Sequence, residues 1–178
     1  MTNKRVKLGD IAIVIAGQSP DGKNYNKEGV GTPFYQGKKA FGEKFLKAPN
    51  VWTKSITKVA IKDDILISVR APVGALNIST QRICIGRGLA AIRVNSDIDK
   101  DFLFYSLTQT SNKLVGTTGA IFNSLNKTQI ENIELFLPPL SEQKRIVTKL
   151  DKTFEEIDLA IKITEKKKGE LELLKSSI

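Results

Sequence analysis

Four short strings in this 178-residue sequence bring together residue types that can do chemistry. "SPDGK", residues 19–23, holds a Pro-Asp and an Asp-x-Lys, the pieces of a metal-dependent nuclease site. That chemistry needs separate carboxylates on the metal with a lysine beyond the second, and here both pieces use Asp21. Asp63 and Asp64 are a true carboxylate pair, but "KDDIL" reads as a turn before a strand, where acids usually solvate a loop. "GRGLAA", residues 86–91, fits G-x-G-x-x-A, which needs a strand before it, a helix opening at it and an acid about 20 residues later. "LAAIRV" reads instead as a strand, and no acid lies between Asp101 and Glu131. "LPPL", residues 137–140, keeps the prolines of the amino-methyltransferase motif, but Leu137 and Leu140 can neither accept from a base amino group nor stack on it. The chain has no histidine and only Cys84, set between Ile83 and Ile85, so Cys/His metal sites and Ser/His or Cys/His catalysis lack their parts. The reading is a non-enzymatic chain with no metal, no cofactor and no catalytic residue.

What remains is recognition chemistry. "TPFYQGKKAFGEKFLK", residues 32–47, interleaves aromatics with bases and glycines. Phe34, Phe41 and Phe45 are expected to face inward. Tyr35 and Gln36 are expected to offer polar heads, and Lys38, Lys39 and Lys44 to reach phosphates. Glutamine can pair bidentately with adenine in the major groove, so Gln36 is a candidate base reader. A second group comprises Arg70, Asn77, Thr80, Gln81, Arg82 and Arg87, with Arg70 delivered at the end of "ILISVR". Arginine is the commonest reader of guanine. A third group, Thr117, Thr118, Asn123 and Ser124 in "TTGAIFNS", has short donors suited to backbone phosphate contacts, although ordinary turn chemistry explains them equally well.

These residues need a scaffold of short strands. "DIAIVIAG", "KVAI", "ILISVR", "ALNIST" and "LAAIRV" are β-branched runs bounded by Gly, Pro, Asn or Asp. A helix is expected over about residues 99–114, then a short one in "NKTQIENI" and a strand in "IELFL". Pro138 and Pro139 end that strand, and Ser141 and Glu142 are placed to cap and charge the start of a long helix. Val147, Leu150, Phe154, Ile157 and Ile161 follow 3-4-3-4 spacing, and the stripe resumes at Leu171 and Leu174. The expected fold is α+β: a strand-rich, irregular globular domain over residues 1–138, followed by a coiled-coil arm over residues 139–178. An apolar stripe of this length on an arm needs a second helix, which predicts a homodimer; the alternative is a helix folded back over its own domain.

The formal charge of +9 is concentrated in the body. Residues 1–140 carry 19 Lys and Arg against 11 Asp and Glu, and residues 141–178 carry 9 against 8. A basic body with a balanced arm suits a polyanion reader attached to a protein-contacting element. Residues 1–7 are polar and basic, and the apolar run 11–16 is too short for a signal peptide or a membrane span, so the expectation is a cytoplasmic protein.

The "LGDI" start, "SVRAPVGALNIST", "CIGRGLAAIRV", "TGAIFNSL" and above all "IELFLPPLSEQKRIVTKLD" resemble one half of the specificity subunit of a type I restriction-modification enzyme. The resemblance covers nearly the whole chain. It implies a target-recognition domain that reads half of a bipartite site in double-stranded DNA, and a helix that pairs antiparallel with a second one. It also implies that the adenine-N6 methyltransferase subunits and the restriction motor-nuclease subunits are separate partner chains. The departure is length, with one recognition domain and one arm, which reads as a natural half-subunit, a truncation or an engineered fragment. Two alternatives accompany the DNA-reading subunit: a free-standing nuclease using Asp63 and Asp64, and an interaction protein whose arm captures another specificity subunit.

Overall fold

The computed structural model describes residues 4–116 and 124–175. The chain opens with β1 (Lys4–Lys7), a single helical turn α1 (Leu8–Ile11) and β2 (Ala12–Ala16). Short strands follow: β3 (Tyr25–Asn26), β4 (Thr32–Tyr35), β5 (Trp52–Thr53), β6 (Val59–Ala60), β7 (Ile65–Ser68), β8 (Leu76–Ile78), β9 (Ile83–Ile85) and β10 (Leu89–Val94). Then come α2 (Lys100–Gly116), α3 (Lys127–Glu131), β11 (Glu134–Leu137) and the long α4 (Leu140–Lys175). The fold is α+β, as the sequence predicts.

A four-stranded sheet in the order β2-β10-β7-β8 lies at the centre. Its inner strands are apolar on both faces because both faces are covered. Ala90 and Ile92 of β10, with Ile65 and Ile67 of β7, join a core containing Phe102, Leu103 and Leu107 of α2. The alternate residues Leu89, Ala91 and Leu66 join a second core with Tyr35, Ala60, Ile83 and Ile85. That second core is shared with the sheet β3-β5-β4-β9-β6, in which β4 and β9 run parallel. Beside these, β1 pairs antiparallel with β11, joining the first strand to the one that leads into the prolines.

Local chemistry sets the helix ends. Asp99 accepts from the backbone N–H of Asp101 and Phe102, both at 3.0 Å, and starts α2. Asn126 and Gln129 form a capping box on α3. The expected strand beginning at Asp10 is corrected: Asp10 and Ile11 close the turn α1, and the strand begins at Ala12. Ser141 is also not the cap of α4, because the Pro139 carbonyl accepts from Glu142 and Gln143 and places Ser141 inside the first turn.

The long helix does not leave the body at the prolines. Gln143 is fully buried: its Oε1 accepts from the Asp99 N–H at 2.7 Å, and its Nε2 donates to the carbonyls of Pro138 at 2.8 Å and Asp97 at 3.3 Å. Ile146 and Val147 pack against the first core, and contacts with α2 continue to Asp151 and Phe154. Beyond them Ile157, Ile161 and Leu171 are exposed. The side chain of Leu174 lies outside the described residues.

Candidate nucleic-acid interface

Four chain segments are sewn together at one end of the central sheet. Gly86 N–H donates to the Tyr35 carbonyl at 2.8 Å, and Val69 N–H donates to the Gly88 carbonyl at 3.0 Å. Gln18 and Gly17 N–H donate to the Ile85 and Leu89 carbonyls, both at 2.9 Å. The seat needs glycine: a Cβ on Gly88 would stand 2.3 Å from the Gln36 carbonyl, and one on Gly17 2.2 Å from the Gly86 carbonyl. This is what "GRG" is for, since the two glycines let the β9–β10 turn press against the end of β4 and hold Arg87 beside Gln36. Ser68, itself buried, donates to the Pro72 carbonyl at 2.9 Å and accepts from Ala75 N–H at 3.0 Å, which fixes the turn that carries Arg70.

Above this seat is an open cleft of about 780 Å³. Its walls carry Gln36, Lys38, Lys39, Lys47, Arg70 and Arg87, and no lining residue is acidic. None of these five cations takes part in the ion pairs of the described residues. Tyr25 and Phe34 stack at 4.7 Å on one wall, and burial pushes the Tyr25 phenol above its usual range. Such a cleft presents uncompensated positive charge around a carboxamide, the chemistry that holds a phosphate backbone while a base edge is read.

Several residues expected at the surface are placed elsewhere. Tyr35 is buried and donates its hydroxyl to the Lys47 carbonyl at 2.8 Å, so its polar head turns inward, and burial raises its pKa. Asn77 is fully buried with its amide donating to the Gly42 carbonyl at 3.1 Å. Lys44 leaves the cleft to pair with Asp101 at 3.1 Å. Phe45, expected inward, is half exposed. Thr80 and Arg82 are exposed on the β8–β9 turn, at the other end of β9 from Arg87, and do not line the cleft. Ser124 bridges Arg70, and Leu125 N–H donates to the Val69 carbonyl at 2.9 Å, so Ser124 of the third group lies at the cleft edge. Thr117, Thr118 and Asn123 lie outside the described residues.

Lys47 and Asn50 are cleft residues that the sequence reading did not name. Lys47 was legible as the last base of the aromatic-basic run, whereas nothing marks Asn50 apart from its nearness to that run. The acidic pair is also corrected. Asp64 does not solvate a loop; it is buried, accepts from Arg93 Nε at 3.0 Å and Nη2 at 2.8 Å, and takes Ile61 N–H at 2.8 Å. That bond to Asp64 holds the Arg93 guanidinium above its usual pKa. Asp63 pairs with Lys100.

The arm carries more apolar surface than its seam. Leu159 and Ile163 are also exposed, each two residues beyond a seam position and therefore about 200° around the helix, on the opposite face. Among the described residues no helix is long and apolar enough to cross a membrane.

The family model described as type I restriction modification DNA specificity domain matches residues 2–173. The "Putative type I restriction enzyme MjaX specificity subunit" of Methanocaldococcus jannaschii is 44% identical over 167 residues, which are 93% of this chain and 38% of that protein. The crystal structure of the HsdS subunit from Thermoanaerobacter tengcongensis is 40% identical with a TM-score of 0.80, over 88% of this chain and 38% of that one. A chain from a study of complex assembly and conformational transition of the type I R-M system is 40% identical with a TM-score of 0.88, over 96% of this chain and 43% of that one. The type I S subunit of M. genitalium, at 14% identity and a TM-score of 0.64, shares the fold. The chain thus spans 38–43% of the length of the first three relatives. With that match across nearly all of its length, the chain belongs to the type I restriction-modification DNA specificity family.

Proposed function

We propose that this chain is a DNA target-recognition module of a type I restriction-modification system, and that its acid-free cleft reads one half of a bipartite, interrupted site. The observation that carries the reading is the convergence of Gln36, Arg70 and Arg87 on one glycine-built seat, ringed by Lys38, Lys39 and Lys47. Arg70, Arg87 and Gln36 are the side-chain types that read guanine and adenine edges, and the lysines suit phosphates. A second copy, joined antiparallel through Phe154, Ile157, Ile161 and Leu171, supplies the other half-site. The separate adenine-N6 methyltransferase subunits then dock on the outer face, where Leu159 and Ile163 are exposed, and the nuclease-translocase subunits act through that assembly. At 1.5 Å per residue the 36-residue α4 is about 54 Å long, which limits half-site centres to roughly 16 base pairs apart.

The test is selection from a random duplex library by the chain with its methyltransferase subunit, at about 0.15 M salt. An enriched interrupted palindrome is expected. A complex that forms and enriches no sequence refutes the dimeric reader and favours the alternative, an arm that pairs with a different specificity subunit. The nuclease alternative loses its residues, since Arg93 occupies Asp64 and Lys100 occupies Asp63.

A further inference from the structure

A hairpin over residues 40–47 joins the cleft to the arm. Lys47 N–H donates to the Ala40 carbonyl at 2.9 Å, and Phe41 pairs with Leu46, so the base of the hairpin carries cleft residues. Its far end is tied to β8, with Ile78 N–H donating to the Lys44 carbonyl at 2.9 Å. The Lys44 ammonium lies 3.4 Å from the Tyr105 hydroxyl, 5.1 Å from the centroid of that ring and 5.8 Å from that of Phe104. The same Tyr105 hydroxyl donates to Asp151 of α4 at 2.5 Å, and its ring leans on Phe154 at 5.7 Å. One phenol therefore touches the hairpin, belongs to α2 and grips the arm.

We propose that Tyr105 is the positioning residue that fixes the direction of α4 relative to the cleft. On the DNA reading above, on which this step rests, it thereby sets the half-site spacing that paired arms accept. The geometry is that of a lever with two fixed points. Gln143, with Ile146 and Val147 packed on the first core, roots the first two turns of α4, and a helix held only at its base can swing beyond it. Asp151, eight residues on and about 12 Å along the axis, is the second point. The end of α4 at Lys175 lies about 48 Å from Gln143, so a shift of about 1 Å at Asp151 moves it about 4 Å, close to one base-pair step. Lys44 donates to the phenol oxygen while the phenol donates to Asp151, which orients the hydroxyl and links the arm to the hairpin that carries cleft lysines.

The experiment places spin labels on the body and the arm, through Thr80→Cys and Lys168→Cys, both exposed, with buried Cys84 left in place. Labelled chain is diluted in unlabelled chain, and the intramolecular distance distribution is read by pulsed dipolar spectroscopy. A single narrow peak is expected for the parent. Loss of that peak is expected for Tyr105→Phe and Asp151→Ala with circular dichroism unchanged, and its return for Asp151→Asn, which still accepts from the phenol. A Tyr105→Phe distribution as narrow as the parent overturns the proposal. In spacer-randomised duplex selection, Tyr105→Phe is expected to keep the half-site and admit spacers one base pair shorter and longer. An unchanged spacer beside a broadened distance overturns the spacing step. If the parent enriches no half-site, the DNA reading fails, while the spin-label result still decides the role of Tyr105.

Discussion

Neutralising two cleft lysines gives a graded test of the proposed DNA-reading surface. Five cations line the cleft, none in an ion pair of the described residues and none beside a lining acid. With Lys38, Lys39 and Lys47 each on one phosphate, the slope of log affinity against log salt is about −2.7 per module, so raising salt from about 50 to 200 mM weakens binding about 40-fold. Lys38→Ala with Lys39→Ala removes two contacts, which brings the slope to about −0.9 and the loss over the same range to about 3-fold. Lys44→Ala is the control: Lys44 is already paired with Asp101 and does not line the cleft, so the slope stays that of the parent. The assay is fluorescence anisotropy with one labelled duplex over a series of salt concentrations. A double variant with the parent slope, or a Lys44 variant that loses as much slope as the pair, refutes the assignment of charge to this cleft.

Three further outcomes follow from contacts in the body. Asp64→Ala removes a buried carboxylate that accepts three hydrogen bonds and strands Arg93; it is expected to cost about 3 kcal/mol in urea unfolding, with a cost under about 1 kcal/mol refuting the pair as a structural anchor. Gly88→Ala forces backbone movement against the Gln36 carbonyl, and a destabilisation of about 1–3 kcal/mol is expected together with weaker DNA binding. Equal stability and equal affinity for that variant would exclude the close approach as the basis of the seat. Asp63 has φ 72°, which asparagine tolerates, and its hydrogen bond to Lys100 holds its carboxyl below the usual value. That contribution is present above the unfolded pKa near 4 and is lost as pH falls through the lowered folded value. Asp63→Asn is expected to remove that part of the acid dependence, worth less than about 1 kcal/mol because the group is half exposed, read as melting temperature against pH. A constant difference between variant and parent across the acid range contradicts the pairing.

The elements most legible in the sequence are those whose apolar runs are long. "LAAIRV" and "ILISVR" became β10 and β7, and the 3-4 spacing after the prolines became α4. The two-residue strands β3 and β5 had no local signal, because their pairing is set by distant neighbours: Gly31, at φ 98°, brings the chain close to the Thr53 carbonyl. The same two-sided burial that made β7 and β10 easy to read misplaced single polar residues. In a half-solvated strand an asparagine or a tyrosine head marks the outer face, but Asn77 and Tyr35 lie between elements on both sides, where alternation carries no information about solvent. In the site, glycines marked the turn that carries Arg87, whereas the meeting of Gln36, Arg70 and Arg87 depends on the parallel pairing of β4 with β9, which no local pattern encodes.

The opening of α4 shows why the proline pair was read only partly. Prolines end β11 as expected, because neither Pro138 nor Pro139 has an N–H for a ladder, yet the chain is not released there. Gln143, which on sequence alone is one polar residue on a charged first turn, is instead the most enclosed part of the arm and ties Asp97, Asp99 and Pro138 to it. Buried amides are costly unless each hydrogen-bonding group is matched, and here two donor bonds and one acceptor bond are made. A helix rooted by that contact and gripped again at Asp151 inherits its direction from the body. The seam beyond Phe154 is therefore presented at an angle set by the first core, which shares the central sheet with the second core behind Arg87, so changes in β8, α2 or the 40–47 hairpin are expected to act on the arm as well as on the cleft.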